Sequence, residues 1–437
     1  MTLTRWWDAV SFDGPLAYGE GAVVHAGQLV ARGLDPYGPP APGTFVGGNY
    51  GPLGYAVVAL GMPFGTFTPL RFVGVLAMLA LALTIAWRAR ASWLAALALG
   101  ASFLAFFPVQ AWGPLVRVDP LAVSLTAFAI LVAGERWPRA AASGALAALA
   151  LAAKPTAVFP IVAVLGYLWW RERRTALRVT ASVVVSGIVV LSATLARFDA
   201  PGLVTHLIQW NVLPYSVATV ALLLAVAAAS FGGFAVLGAR LGDGRMRAYI
   251  VGALLVVVLG GREGATINYL LDLATASCLA LAARARADRP LPAFALSAQL
   301  AVALALTLFG VFSTTGAWAD RQRVALAADL PRTAPHLAED SGVLLANGIE
   351  PVVDDIFLWS HLVSMGVIGD EITPRVRDGE FASVIAEVPL DRLDEAPDYE
   401  RQRWTPALVR AVLGSYRLEV AASGHYRYVP RRAFALE

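Results

Sequence analysis

Charge is scarce in this sequence. Asp, Glu, Lys and Arg make up 15% of its 437 residues, against 58% hydrophobic residues and a mean hydropathy of +0.63. Soluble domains carry about 25% charged residues, so this composition excludes an ordinary soluble chain and points to an integral membrane protein. Cysteine is almost absent. The single Cys278 lies inside an apolar run, which leaves disulfides no structural part. The five histidines are scattered, and no HExxH, CxxC or nucleophile-elbow pattern occurs, so zincin, redox and serine-hydrolase chemistry find no support. The first residues, Met1 to Asp8, contain no apolar segment of the kind a signal peptide needs. The net charge of +3 is small, and arginines packed into short inter-span loops explain it better than nucleic-acid binding does.

Long apolar runs, by contrast, are plentiful. Those able to cross or nearly cross a ~30 Å hydrocarbon core fall at 69–87, 92–108, 119–134, 139–153, 155–170, 177–196, 216–239, 247–260, 266–283 and 292–313. A further run, 52–66, contains Pro63 and several glycines and reads as a span or as an interfacial helix. Arginines alternate between the connections. One set holds Arg88/Arg90, Arg136/Arg139, Arg171/Arg173/Arg174/Arg178, Arg240/Arg245/Arg247 and Arg284/Arg286/Arg289. The other holds Arg117, Lys154, Arg197 and Arg262. Positive charge stays cytoplasmic in short loops, so the Arg-rich set is expected inside. The loop before residue 69, the 109–118, 198–215 and 261–265 loops and the tail from about 314 are then expected outside. An external first loop normally follows a helix that carries it across, so a span upstream of this sequence is expected in preference to unaided translocation.

The expected fold is mainly α: a polytopic transmembrane bundle of about 10–11 spans with a small external α/β region at the C-terminus. Its divisions are a first loop with interfacial helices over 1–68, the bundle over 69–313 and an α/β tail over 318–437. In the tail, strands are expected at Gly342–Ala346 and Phe381–Ala386, helices around 355–367 and 405–415, and a hairpin from Tyr416 to Val429 turning at Ser423-Gly424-His425. Asp354, Asp355, His361 and His425 show no metal spacing and are expected on a solvated surface.

Most of the chemistry-bearing residues sit on the expected external side. Glu20, in Tyr18-Gly19-Glu20-Gly21, opens a short helix to Arg32; it reads as a general base, as a metal ligand, or as a helix N-terminal charge favoured by the macrodipole. Asp119 in Arg117-Val118-Asp119-Pro120 reads as an N-cap with proline following, or as part of a site for a charged substrate at the bundle mouth. Lys154 reads as a snorkelling cation or a phosphate contact. The turn Gly260 to Asp272 is no P-loop, but its small residues allow close approach and Arg262 offers a fork suited to phosphate oxygens. Asn268 and Asp272, four apart, could share one helical face; interhelical hydrogen bonding is the plainer account.

Together these motifs resemble the GT-C superfamily of polytopic glycosyltransferases, in its bacterial branch near the protein mannosyltransferase and aminoarabinose-transferase types. The resemblance rests on the acidic first loop, Gly33-Leu34-Asp35-Pro36-Tyr37, Asn49-Tyr50-Gly51-Pro52-Leu53-Gly54-Tyr55, Arg117-Val118-Asp119, Lys154-Pro155-Thr156 and Asn268-Tyr269. It implies a polyprenyl-phosphate sugar donor, membrane lipid around the donor tail, and a glycan, lipid or protein acceptor, with no nucleic acid. It puts Glu20 and Asp119 at the positions of the two catalytic-loop acids, with Arg117, Lys154, Arg262, Asn268, Tyr269 and Tyr50 as substrate-binding candidates. A divalent ion held by Glu20 and Asp119 is one way to supply positive charge to the leaving phosphate; arginine and lysine are the other. The sequence departs from the pattern in its first loop, where many relatives show paired acids: Glu20 has glycine on both sides, and Asp13 and Asp35 are the only other nearby carboxylates. A transporter or lipid-linked sugar flippase is the alternative reading; it would favour charges at mid-bilayer and inverted repeats.

Overall fold

The computed structural model describes residues 2–90, 93–286, 292–311, 320–422 and 424–431. Ser423 of the expected hairpin turn, Arg289 of the Arg-rich set, residues 312–313 of the last expected span and Trp318 of the tail lie outside the described residues.

Every expected span within the described residues is helical. After α1 (Thr2–Ser11), α2 (Glu20–Ala31) and α3 (Pro52–Gly61) come α4 (Thr68–Arg88), α5 (Trp93–Ala105), α6 (Phe107–Trp112), α7 (Asp119–Val132) and α8 (Trp137–Ala153). They continue as α9 (Val158–Arg171), α10 (Arg173–Arg197), α11 (Ala200–Leu207), α12 (Val217–Leu241), α13 (Gly244–Leu259), α14 (Leu271–Arg286) and α15 (Ala293–Leu308). By length and composition α4, α10 and α12 can cross a membrane; α3, α5, α7 and α15 are apolar but shorter. α14 lies at the centre, with Leu271, Ala274, Cys278, Leu279 and Ala282 at 0% exposure, and it packs against α4, α5, α12 and α13. α10 does the opposite: Val185, Ile188, Val189 and Leu191 are more than half exposed, as a lipid-facing helix would be.

The bundle has two chemically distinct ends. At one, Arg245 of α13 clasps Glu172 between α9 and α10 and donates to the Ala133 carbonyl at 2.9 Å. The guanidinium groups of Arg90, Arg171 and Arg178 stack on Trp87, Trp170 and Trp137 at the ends of their helices. The opposite end gathers the start of α7, the end of α8 and the turn before α14.

The C-terminal part forms a four-stranded sheet, β1 (His336–Ala338), β2 (Ser383–Ala386), β3 (Tyr416–Ala422) and β4 (His425–Pro430), in the order β1-β2-β4-β3. β1 and β2 are parallel with Leu337 opposite Val384; β4 is antiparallel to both β2 and β3, with a bulge between Leu418 and Val420. Around it lie α16 (Arg321–Ala325), α17 (Ser341–Ala346), α18 (Ile356–Ser364), α19 (Ile372–Arg377), α20 (Asp398–Arg401) and α21 (Pro406–Ser415). The expected strand at Gly342–Ala346 is instead α17. Asp340 caps it by accepting from the Gly342 N–H at 2.9 Å, and a side-chain cap of this kind selects helix over strand for a short apolar run. The sheet region does not close its core alone. Phe45 of the first loop pairs with the Val352 carbonyl at 2.8 Å and stacks on Trp210 within the same apolar cluster as Leu337, Trp359 and Val384.

Candidate active site

Glu20 opens α2 as expected, but its surroundings are not those of a free carboxylate. It is fully buried. Arg71, in the first turn of α4, contacts both oxygens, with Nε 3.3 Å from Oε1 and Nη2 2.6 Å from Oε2. The Val116 N–H donates to Oε1 at 2.5 Å, and the Leu16 and Ala17 N–H groups donate to Oε2 at 2.6 and 3.3 Å. Burial opposes the charge, but Arg71 and these donors outweigh it and hold the carboxyl below the ordinary glutamate range. Arg71 spends its remaining donors on the Ala9, Phe12 and Gly14 carbonyls. Glu20 therefore clamps the first loop to α4 and to the segment before α7. With each oxygen already accepting at least two hydrogen bonds, it is poorly placed for the base or metal-ligand role expected of it. The signal in the sequence was Arg71 itself, an arginine in the first turn of an apolar helix whose other charge, Arg88, is its last residue.

Gly19 sits at φ 79°, in the left-handed region. A Cβ there would stand 2.9 Å from Arg117 Nη2. Arg117 thus occupies the space that a side chain at position 19 would need. Arg117 donates to the Gly19 carbonyl at 3.2 Å, to the Tyr18 carbonyl and to the Tyr50 hydroxyl at 3.2 Å, and lies over the Trp112 ring. Its Nε is enclosed without a partner.

Asp119 is the first residue of α7 rather than its N-cap, and Pro120 is the second. Its side chain turns inward to gather a cluster. Lys154 Nζ lies 2.5 Å from Oδ1, Asn268 Nδ2 donates to the same oxygen at 2.8 Å, and Trp112 Nε1 donates to Oδ2 at 3.2 Å. Lys154 also stands 4.3 Å from the Tyr269 ring centroid, a cation–π contact. Tyr269 in turn accepts from Arg262 Nη2 at 3.2 Å, while Arg262 Nη1 reaches Asn211. Asp272 accepts from Tyr249 of α13 at 2.9 Å. Asn268 and Asp272 therefore hydrogen-bond across helices, to Asp119 and Tyr249, rather than to each other. Lys154, Asp119, Asn268, Tyr269 and Arg262 come together; Tyr50 and Arg117 form a second group beside them.

Of the four tail residues expected on a solvated surface, Asp354 and Asp355 are buried, whereas His361 and His425 are half-buried. Asp354 is 2% exposed, accepts from the Gly47 N–H at 2.7 Å and pairs with His25 Nδ1 at 3.0 Å. Asp355 is 8% exposed; its Oδ1 accepts from the Tyr18 hydroxyl at 2.9 Å and from the Leu358 N–H at 3.1 Å, capping α18. His361 Nε2 meets Glu263 of the Gly-rich turn at 2.8 Å. Arg403 lies 4.0 Å from the Tyr18 ring centroid. Sequence reasoning missed these residues because the partners that bury them lie more than 300 positions away for Asp354 and Asp355 and 98 away for His361. His25 is pulled both ways: burial disfavours its charge, but Asp354 and Glu350 prevail and raise its pKa to about 9. Glu350, hydrogen-bonded to His25 and Arg32, falls to about 2.

The donor set does not suit a divalent ion. Glu20 is neutralised by Arg71 and Asp119 by Lys154, and no group of three His, Cys, Asp or Glu side chains converges among the described residues.

No protein-family model matches this sequence, and no curated protein matches it in sequence. Solved structures do resemble it. The crystal structure of ArnT from Cupriavidus metallidurans bound to undecaprenyl phosphate superposes with a TM-score of 0.63 at 13% identity, covering 98% of this chain and 96% of that one. The apo-state crystal structure of ArnT from the same organism gives a TM-score of 0.65 with the same identity and coverage. At this identity the likeness is one of fold, and the chain has the ArnT-like fold that its motifs led us to expect.

Proposed function

We propose that this chain is an integral membrane glycosyltransferase. It moves a sugar from a polyprenyl-phosphate-linked donor to a glycan, lipid or protein acceptor on the external side of the membrane. The observation that carries this reading is the cluster of Lys154, Arg262, Tyr269, Asn268 and Asp119 at one end of an ArnT-like bundle. ArnT itself was crystallised with undecaprenyl phosphate. The opposite end carries the Arg–Trp stacks expected of a cytoplasmic face. On this reading, residues 1–68 and the α/β tail from 318 cover the external mouth of the bundle over 69–313.

The chemistry follows from the donor. The bond from the anomeric carbon to the phosphate oxygen breaks through an oxocarbenium-like transition state, and its electron pair stays on the phosphate. Negative charge therefore grows on the leaving oxygen. Lys154 and Arg262, fixed by Asp119 and by Asn211 and Tyr269, are preorganised to stabilise it where little water competes. Asp119 positions Lys154 rather than reacting. Tyr50 and Arg117, hydrogen-bonded to each other at 3.2 Å, stand beside this cluster.

The test is transfer by purified full-length protein in nanodiscs from a panel of polyprenyl-phosphate sugars. Stoichiometric release of polyprenyl phosphate with a glycosylated acceptor supports the reading. Undecaprenyl-phosphate binding with no transfer from any donor, together with measurable translocation of the intact lipid-linked sugar, supports the flippase instead.

A further inference from the structure

Resting on the reading that this end of the bundle takes a lipid phosphate, we propose that the C-terminal region is a working part of that site. His361 of α18 is a positioning residue: through Glu263 it fixes the turn that carries Arg262.

Arg262, Glu263 and Gly264 are consecutive, yet they meet different parts of the molecule. Arg262 bridges to Tyr215 in antiparallel fashion, and the Glu263 N–H donates to the Pro214 carbonyl at 2.9 Å, so the segment is locally extended. In extended backbone successive side chains point to opposite sides. Arg262 accordingly turns to the bundle, where Nη1 reaches Asn211 and Nη2 donates to the Tyr269 hydroxyl at 3.2 Å. Glu263 turns to the tail, where its Oε2 lies 2.8 Å from His361 Nε2. The side chains of this pair are 28% and 11% exposed, so water and salt screen it less than an open surface pair. Gly264 follows at φ 76°, and a Cβ there would stand 2.8 Å from the Phe357 ring. Two side chains of α18, four positions apart on one helical face, thus grip two adjacent residues of the turn.

α18 is itself firmly held. His361 Nδ1 lies 2.9 Å from the Phe357 carbonyl, and the two rings pack 4.1 Å apart between centroids, which sets the plane of the imidazole. On the other side of the helix, Trp359 and Leu362 are buried in the apolar cluster of the tail. At its start, Asp355 and the Phe357 N–H both hold the Tyr18 hydroxyl, at 2.9 and 2.8 Å. The Tyr18 carbonyl accepts from Arg117. One helix of the tail therefore ties the first loop beside Arg117 to the turn that bears Arg262.

Arg262 keeps donors for a ligand. Nη1 is spent on the carbonyl and side-chain oxygens of Asn211, Nη2 donates once, and Nε has no partner among the described residues. Stabilising a phosphate oxygen requires such donors at about 2.7–3.1 Å, so a shift of the turn removes the contact without removing the charge. Lys154, held by Asp119 and lying over the Tyr269 ring, does not depend on α18 in this way.

The test is undecaprenyl phosphate binding to purified full-length protein in nanodiscs. His361→Ala and Glu263→Ala should each weaken it by about fivefold or more, and the double variant no further than either single one. His361→Gln, whose amide can still donate to Glu263, should recover most of the loss. In an Arg262→Gln background, His361→Ala should cause no further loss, because its effect passes through Arg262. Wild-type affinity in His361→Ala overturns the proposal. So does an equal loss with and without Arg262, which would mean that the tail acts through its folding alone. A wild-type protein that shows this coupling yet transfers from no donor overturns the transfer reading and leaves the proposal standing. One that binds no undecaprenyl phosphate overturns both.

Discussion

Arg71 engages both oxygens of Glu20 at full burial, with Nη2 2.6 Å from Oε2 and Nε 3.3 Å from Oε1. An ion pair so enclosed fixes the first loop against α4. Removing one partner of such a pair leaves an uncompensated buried charge, at a cost of about 3–5 kcal/mol. Arg71→Met is therefore expected to lower the thermal midpoint sharply in fluorescence-monitored unfolding. Glu20→Gln is expected to do the same. A Glu20→Gln protein with an unchanged midpoint and no transfer would instead return the base role to Glu20.

Gly19 should not tolerate an acidic side chain. Its positive φ costs an L residue about 1–2 kcal/mol, and a Cβ would meet Arg117 at 2.9 Å. Gly19→Ala should show the backbone cost in chemical denaturation, and Gly19→Asp more. If Gly19→Asp unfolds like the wild type, Arg117 does not close this space.

The docking of the tail should depend on pH through His25. Its pKa is raised from 6.5 to about 9, so the stabilisation is complete below pH 6.5 and is lost as pH rises through 9. Glu350, lowered to about 2, acts oppositely, being fully stabilising above about 4.5 and losing its effect only in strong acid. Between pH 7 and 9 the His25 effect alone varies. Limited proteolysis of the tail should accelerate over that window in the wild type and become flat in His25→Gln. Equal pH dependence in both would assign docking to other contacts.

Lys154 should govern lipid phosphate affinity. A charge-assisted hydrogen bond contributes about 1.5–3 kcal/mol, so Lys154→Met should weaken undecaprenyl phosphate binding by roughly 10–150-fold. The single variant also strands Asp119. The double variant Asp119→Asn/Lys154→Met should recover stability without recovering binding, which separates the two roles. Recovery of both would make Lys154 a structural counter-ion only.

The helices were legible in the sequence because apolar runs of spanning length have few alternatives. The β3–β4 hairpin was legible from its alternation. Asp119 was found as a residue of interest, but its partners Lys154 and Asn268 were named only separately, since 35 and 149 positions separate them from it. Glu20 was legible as unusual, but the partner that buries it was not. A lone buried carboxylate and a catalytic one look alike until the cation is found, and Arg71 had been absorbed into an apolar run. Asp354 and Asp355 were hidden for a different reason: a polar pair in a charged tail carries no periodicity that distinguishes a docked face from a wet one.

The central claim is that the lipid phosphate binds at the Lys154 end of the bundle. A cryo-electron microscopy structure of the full chain in nanodiscs with undecaprenyl phosphate tests it most directly. The account predicts phosphate density within hydrogen-bond distance of Lys154 or Arg262. Phosphate density at the Arg245–Glu172 end, with none beside Lys154, would contradict it.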